Sequence, residues 1–344
     1  MTKFVAMIVT HQNYDLTGIT TFAIPAKCGC FIEYDSADDI PFILSTLRKD
    51  VDFLHIGAGS NLLFTSDFPG VVAHSAIKGI EIIEEDPSGV KVRVGAGVKM
   101  DDFISWACDR ELWGVENLSG IPGEVGASAV QNVGAYGMEA ADAIIEVNAY
   151  DREKNEFVTI PCEECHYTYR GSIFKRPELR GCYIIHSVVY RLSAIPVPHL
   201  SYPALRERFE TTPTSPRQVR DAVISVRDSK LPDPHVTPSA GSFFKNPVIS
   251  DSQLEHICKV EGNDTFPHYR TDEGWKIPAA WLIERCGWKG YSTGNVAVWH
   301  LQPLVIVNPQ RKASANEVLN LERQIVDSVF VKYGVTLDPE VEHI

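Results

Sequence analysis

The chain has no run of about eighteen apolar residues, so a membrane-spanning helix is not expected. The apolar stretch at 4–9 follows a single lysine, Lys3, and is too short to read as a signal peptide. Basic residues are in deficit, 32 Lys and Arg against 45 Asp and Glu, and the net charge of −13 argues against nucleic acid or an anionic lipid surface as partner. A phosphorylated ligand would need a local pocket of its own. Internal repeats and low-complexity tracts are also missing, which excludes solenoids and disordered arrays. The eight cysteines are scattered at 28, 30, 108, 162, 165, 182, 258 and 286 and do not read as a disulfide framework. Reduced thiols and a cytoplasmic location are expected, with no bound metal. What remains is 344 residues, 44% hydrophobic and 22% charged, with 24 Gly and 21 Pro: a globular chain with room for two domains, read as a monomer.

Residues 52–56, 70–73, 90–94, 144–150 and 182–192 are β-branched or alternating and predict strands in an α+β first half. A helix is expected over 101–112, with Phe103, Trp106, Ala107 and Arg110 on one side. Prolines crowd the stretch 193–216, at 196, 198, 203, 213 and 216, and mark a boundary. Beyond it, Ser215 as N-cap and Pro216 at the first helical position start a helix that carries Val219, Ala222, Val223 and Val226 and stops before Leu231-Pro232. A second helix is expected over 278–286. A third opens on the capping box Ser314-x-x-Glu317, runs through Val318, Leu321, Ile325 and Val329, and ends at Gly334. Residues 303–307 predict a buried strand.

Two glycine-rich segments follow strands. The first, His55-Ile56-Gly57-Ala58-Gly59-Ser60-Asn61-Leu62, has Leu62 where a dinucleotide-binding turn needs its third glycine, and no helical pattern follows, so a Rossmann reading fails. The second, from Ser119 to Gly137, holds five glycines among small side chains and amides. Such backbone brings N–H groups close to a ligand and binds phosphate oxygens without a cation.

With these loops stand four further motifs in order: Tyr169-Arg170-Gly171-Ser172-Ile173-Phe174-Lys175, Ser229-Lys230-Leu231-Pro232-Asp233-Pro234, Gly241-Ser242-Phe243-Phe244-Lys245-Asn246-Pro247 and Leu337-Asp338-Pro339-Glu340-Val341. Together they closely resemble the UDP-N-acetylenolpyruvoylglucosamine reductase family, colinearly from about Tyr14 to Ile344 and in its longer form. The resemblance implies an α+β architecture: an FAD-binding domain of the vanillyl-alcohol oxidase type over 14–195, a proline-rich linker over 196–215, and a substrate-binding domain over 216–344 whose C-terminal tail returns to the active site. It also implies reduction of the enolpyruvyl ether of a UDP-sugar to UDP-N-acetylmuramate in peptidoglycan precursor synthesis. Side chains cannot supply hydride, so noncovalent FAD would carry it from NADPH.

By the same resemblance, FAD would be held by Gly57, Gly59, Ser60, Asn61 and Leu62 in the first loop. In the second it would be held by Ile121, Pro122, Gly123, Gly126, Gln131, Asn132, Gly134 and Tyr136. Hydride delivery β to a carboxylate charges the carboxyl oxygens, and Arg170 and Glu340 match the family's residues for that role. Ser242 matches its proton donor. Tyr202, Lys230 and Asn246 match the contacts to the UDP diphosphate, with Gln302 near the substrate.

The chain departs from the family's pattern at Gly171, usually acidic, at Ala129, usually proline, and at Trp299-His300, where the histidine usually comes one residue earlier. Cys162-Glu163-Glu164-Cys165-His166 spells a haem-attachment pattern but abuts the Tyr169-Arg170 motif, and neither haem nor zinc is expected there. An oxidase on the same fold would keep the glycine loops, with no reason to keep Ser242 and Glu340 in these motifs. A non-catalytic flavin or nucleotide-sugar binding protein would hold flavin without turnover.

Overall fold

A strand that buries one face alternates apolar and polar residues, and Val90, Val92 and Val94 do this inside Gly89–Gly95. In the computed structural model, which describes residues 8–48 and 50–344, that strand lies within a five-stranded antiparallel sheet. Its order is Glu156–Pro161, Ile144–Asp151, Tyr183–Ser193, Gly89–Gly95 and Ile80–Asp86, with Val147 opposite Val188 and Tyr190 opposite Val92. Residues 4–7 of the apolar stretch at the N-terminus lie outside the described residues. No helix among the described residues is long and apolar enough to cross a membrane.

The chain divides into two compact units. The first comprises residues 8–14, Cys28–Ala58 and Pro69–Arg227. Besides the five-stranded sheet it holds a four-stranded one, ordered Val9–Asp15, Lys27–Tyr34, Phe68–Ser75 and Phe53–Ile56, whose last pair runs parallel with Ile56 beside His74. The helix Met100–Cys108 buries Met100, Phe103, Ile104, Ala107 and Cys108, the i, i+3, i+4, i+7, i+8 stripe of a core-facing helix. It stops short of 112 because Glu111 turns left-handed (φ 56°), and Arg110 lies over the Trp106 ring at 4.2 Å.

The helix Pro216–Asp228 belongs with this unit almost to its end, although the proline-rich boundary precedes it in sequence. Its Val219 and Val223 pack on Trp113 and Leu205, and its buried Arg220 donates from Nη2 to Asp101 Oδ2 at 2.8 Å. The Arg220 guanidinium holds the Asp101 carboxyl below the usual carboxylate range.

The second unit gathers Asp15–Lys27, Gly59–Phe68 and Asp228–Ile344. Its main sheet runs Ser239–Ser242, Val305–Val307, Val296–Val298 and Ser292–Thr293. The helix Ala315–Tyr333 opens on the Ser314 and Glu317 capping box, buries Val318, Leu321, Ile325 and Val329, and closes at Gly334 with φ 65°. A helix not foreseen from sequence, Asp251–Glu261, has the same local devices: Ser250 and Gln253 form a capping box and Gly262 ends it at φ 73°. Two distant segments join this unit through specific bonds. Leu62–Leu63 pairs in parallel with Glu342–His343. The buried Asn308 donates to the carbonyls of Phe22 and Ala23 at 3.2 and 3.1 Å.

Candidate active site

In the first unit the two glycine segments meet. A Cβ on Gly57 would stand 2.9 Å from Ala127 Cβ and 3.3 Å from Glu124 Oε2, so only glycine lets the turn after Phe53–Ile56 lie against residues 124–127. The amides of Gly57, Ala58, Ile121 and Gly123 meet no acceptor among the described residues. Uncommitted amides in a glycine cradle fit the pyrophosphate of a flavin dinucleotide.

The second segment is less open than a free loop. Residues Val125–Gln131 form a helix, and its leading amides, Val125 and Gly126, donate to Val98 and Ala96. A Cβ on Gly126 would stand 2.9 Å from Ala96 Cβ, so this glycine serves helix packing. Asn132 caps the helix in the left-handed region (φ 46°) and is buried. Its Nδ2 donates to Glu139 at 2.7 Å and to Thr168 O at 3.0 Å, and its Oδ1 accepts from the Ala141 amide at 3.0 Å. Asn132 therefore fastens the loop, and its amide is committed within the protein. Ala129, fully buried in this helix, shows why a small residue suits the position.

Arg170 sits in the tight turn closed by mutual bonds between Thr168 and Gly171. Its own φ is 56°, and its Nη2 donates to Gly134 O at 2.6 Å. A side chain at Gly171 would meet Thr168 Oγ1 at 2.4 Å, so the departure at this position fits a close-packed turn. Tyr136 and Tyr202 meet edge to face with centroids 5.1 Å apart, and Asn117, fully buried, donates to both Tyr136 O and His199 O at 2.8 Å. The proline-rich segment is thereby tied to the second glycine segment within the first unit.

In the second unit Ser242 ends the strand Ser239–Ser242 after Gly241, whose φ is 75°. The next residues pair with the C-terminal tail: Phe244 bridges Pro339, Lys245 N donates to Asp338 O at 2.9 Å, and Glu340 N donates to Phe243 O at 2.8 Å. Asn61 Nδ2 donates to Glu340 O at 3.0 Å. Ser242, Asn61 and Glu340 are thus gathered by main-chain pairing. Gly59, at φ 59°, would place a Cβ 2.6 Å from Ile19 O, and the Ser60 carbonyl accepts from Thr21 Oγ1. Asn246 Oδ1 accepts from the Ala279 amide at the start of the helix Ala279–Arg285. Gln302 Oε1 accepts from Leu304 N, and the exposed Lys230 lends its carbonyl to Trp299 Nε1 at 3.1 Å. Trp299 thereby fixes the main chain at Lys230.

The Cys162-x-x-Cys165 pair forms a short 3-10 turn, and burial pushes the Cys165 thiol up to about 12, which disfavours the thiolate a metal would need. Sequence reasoning missed Asn117, Asn308 and the cluster of His74, Glu33 and Glu124. Each is bonded to partners far away in sequence, so no local pattern announces it.

Comparison with known proteins covers both ends of this arrangement. Residues 29–160 match the FAD binding domain family, and residues 233–344 match the family described as UDP-N-acetylenolpyruvoylglucosamine reductase, C-terminal domain. The reductase of that name from Bacteroides fragilis (strain YCH46) is 43% identical over 335 residues, 97% of this chain and all of the relative. That of Porphyromonas gingivalis (strain W83) is 41% identical over 97% of this chain and 99% of its own length. The chain belongs to the UDP-N-acetylenolpyruvoylglucosamine reductase family. The crystal structure of such a reductase from Thermus caldophilus shares the fold, with a TM-score of 0.67 at 22% identity over 98% of this chain and 99% of the other. Among the candidate residues, the glycine segments fall in the FAD-binding match, and Ser242, Asn246, Gln302 and Glu340 in the reductase match. Arg170, Tyr202 and Lys230 lie between the two.

Proposed function

We propose that the chain reduces UDP-N-acetyl-3-O-(1-carboxyvinyl)-glucosamine to UDP-N-acetylmuramate for peptidoglycan precursor synthesis, with noncovalent FAD and with NADPH as reductant. The observation that carries this reading is the end-to-end likeness to reductases of that name. Its physical support is the pair of glycine turns with uncommitted amides in the first unit. FAD supplies, when bound, the hydride chemistry that side chains lack.

Each remaining task falls to a residue of the chain. Arg170, already oriented by Gly134 O, would hold the substrate carboxylate and balance the charge that grows on it. Glu340 would donate a hydrogen bond to the same oxygens. Ser242 Oγ would give its proton to the carbon bearing the ether oxygen. Tyr202, Lys230 and Asn246 would take the diphosphate, Asn246 through its NH2 because its oxygen serves Ala279, and Gln302 would stand near the substrate. We assign FAD binding to the N-terminal part of the chain and substrate binding to the C-terminal part. We read the enzyme as a cytoplasmic monomer with two small ligands, in keeping with its acidic surface and its eight unpaired cysteines.

The test is direct. The purified protein should be yellow, acid precipitation should leave the flavin in the supernatant, and NADPH oxidation should depend on the enolpyruvyl UDP-sugar. Flavin retained in the pellet would overturn noncovalent binding, and NADPH oxidation indifferent to the sugar would overturn the reaction.

A further inference from the structure

Glu124 stands at the N-cap position of the helix Val125–Gln131, yet its side chain gives that helix no hydrogen bond. Both carboxylate oxygens turn instead to His74 Nε2, at 3.1 and 3.0 Å. On its other side the ring meets Glu33 Oε2 through Nδ1, at 2.9 Å. Glu124 is 6% exposed, whereas Glu33 is half-buried. The other charged or titratable groups around this clamp are Lys78, whose Nζ is 3.9 Å from Glu124 Oε1, and His55 on the neighbouring parallel strand, whose Nε2 meets the Tyr34 hydroxyl at 2.7 Å, with Arg152 beyond it. Burial holds His55 at about 4, so it stays neutral.

Glu124 also forms part of the floor of the glycine cradle, 3.3 Å from where a Gly57 Cβ would stand. A buried carboxylate there repels a diphosphate unless a cation cancels it. We propose that His74 is a positioning residue for cofactor binding, whose positive charge neutralises Glu124 and turns its carboxylate away from the helix so that the cradle accepts the FAD diphosphate. The inference rests on the reading of the cradle as the FAD site. Burial of the ring opposes its charging, but the hydrogen bonds and charges of Glu124 and Glu33 outweigh it and raise the pKa above the ordinary imidazole value.

The sign follows. FAD affinity should be constant while His74 is protonated and should fall as pH rises through its raised pKa. The measurement is FAD affinity of the deflavinated full chain, by flavin fluorescence from pH 6 to 9. His74→Gln should weaken FAD binding on the order of tenfold at pH 7 and flatten the pH profile. The double variant His74→Gln/Glu124→Gln, which removes both charges, should recover most of the affinity and remain flat, whereas a merely structural role for the ring would leave it as weak as the single variant. Should His74→Gln fail to fold, the wild-type profile and the double variant decide. A wild-type affinity flat across this range, or a double variant no better than the single, overturns the proposal. FAD binding is read without turnover, so a chain that binds FAD but ignores the UDP-sugar would sink the proposed reaction while leaving this test standing.

Discussion

The Glu340 amide donates to the Phe243 carbonyl at 2.8 Å, and this bond places the C-terminal tail beside Ser242. Phe243 is fully buried, and Phe244 beside it bridges Pro339, so the strand end and the tail are held as one piece. Two residues assigned to one reaction are therefore brought side by side by main-chain bonds.

Ser242→Ala should separate the two halves of the reaction. Its hydroxyl is assigned to protonation of the substrate carbon, so anaerobic bleaching of the yellow protein by NADPH should keep its rate. Return of the colour on adding the enolpyruvyl UDP-sugar should slow by ~10²–10⁴-fold. Stopped-flow absorbance reads each half separately, and slow bleaching with normal return would move the proton donor elsewhere.

Tyr202→Phe bears on substrate binding. The phenyl ring would still pack edge to face on Tyr136, while the hydroxyl assigned to the diphosphate is lost. Because that contact exists in ground and transition states alike, KM for the UDP-sugar should rise several-fold with kcat nearly unchanged. An unchanged KM in steady-state kinetics would leave Tyr202 as a packing residue.

Asn132→Ala should destabilise the first unit by about 2–4 kcal/mol, since it removes the donor to Glu139 and Thr168 and strands the Ala141 amide. Asn132→Gly would ease the left-handed φ and still lose the same bonds, so it should recover only a minor part. Thermal unfolding followed by circular dichroism checks both, and a shift in Tm too small to resolve would refute the fastening role.

Glu322, in the helix Ala315–Tyr333, is half-buried, and that burial pushes its carboxyl up to about 7. His343 Nε2 lies 3.4 Å away, with burial holding its ring below the ordinary imidazole value. A carboxyl that keeps its proton when folded and loses it when unfolded lowers stability as pH rises from about 4.5 to about 7, by roughly 3 kcal/mol at most. Glu322→Gln should remove this loss and raise Tm at pH 8 more than at pH 4. Equal Tm changes at the two pH values would sink the assignment.

Elements with local causes were legible in the sequence. The Ser314 and Glu317 box, the apolar stripe and Gly334 define the last helix without help from elsewhere, and alternating valines define Gly89–Gly95. The helix Asp251–Glu261 had the same signals in Ser250, Gln253 and Gly262 and was overlooked. The motifs with Arg170, Ser242 and Glu340 also stood in the sequence, and they named the family.

Tertiary structure alone decided the rest. The short helix Val125–Gln131 has no side-chain cap from Glu124, because that carboxylate is drawn to His74 from a different strand. Leu62–Leu63 joins the second unit because it pairs with Glu342–His343 at the far end of the chain, and Pro216–Asp228 joins the first through Arg220 and Asp101. Caps and periodicity act between residues a turn apart, so the spacing of residues along the sequence reveals them. Strand pairing and buried polar bonds act between residues distant in sequence, and their partners are fixed only when the apolar surfaces around them close and the unpaired groups can no longer turn to water.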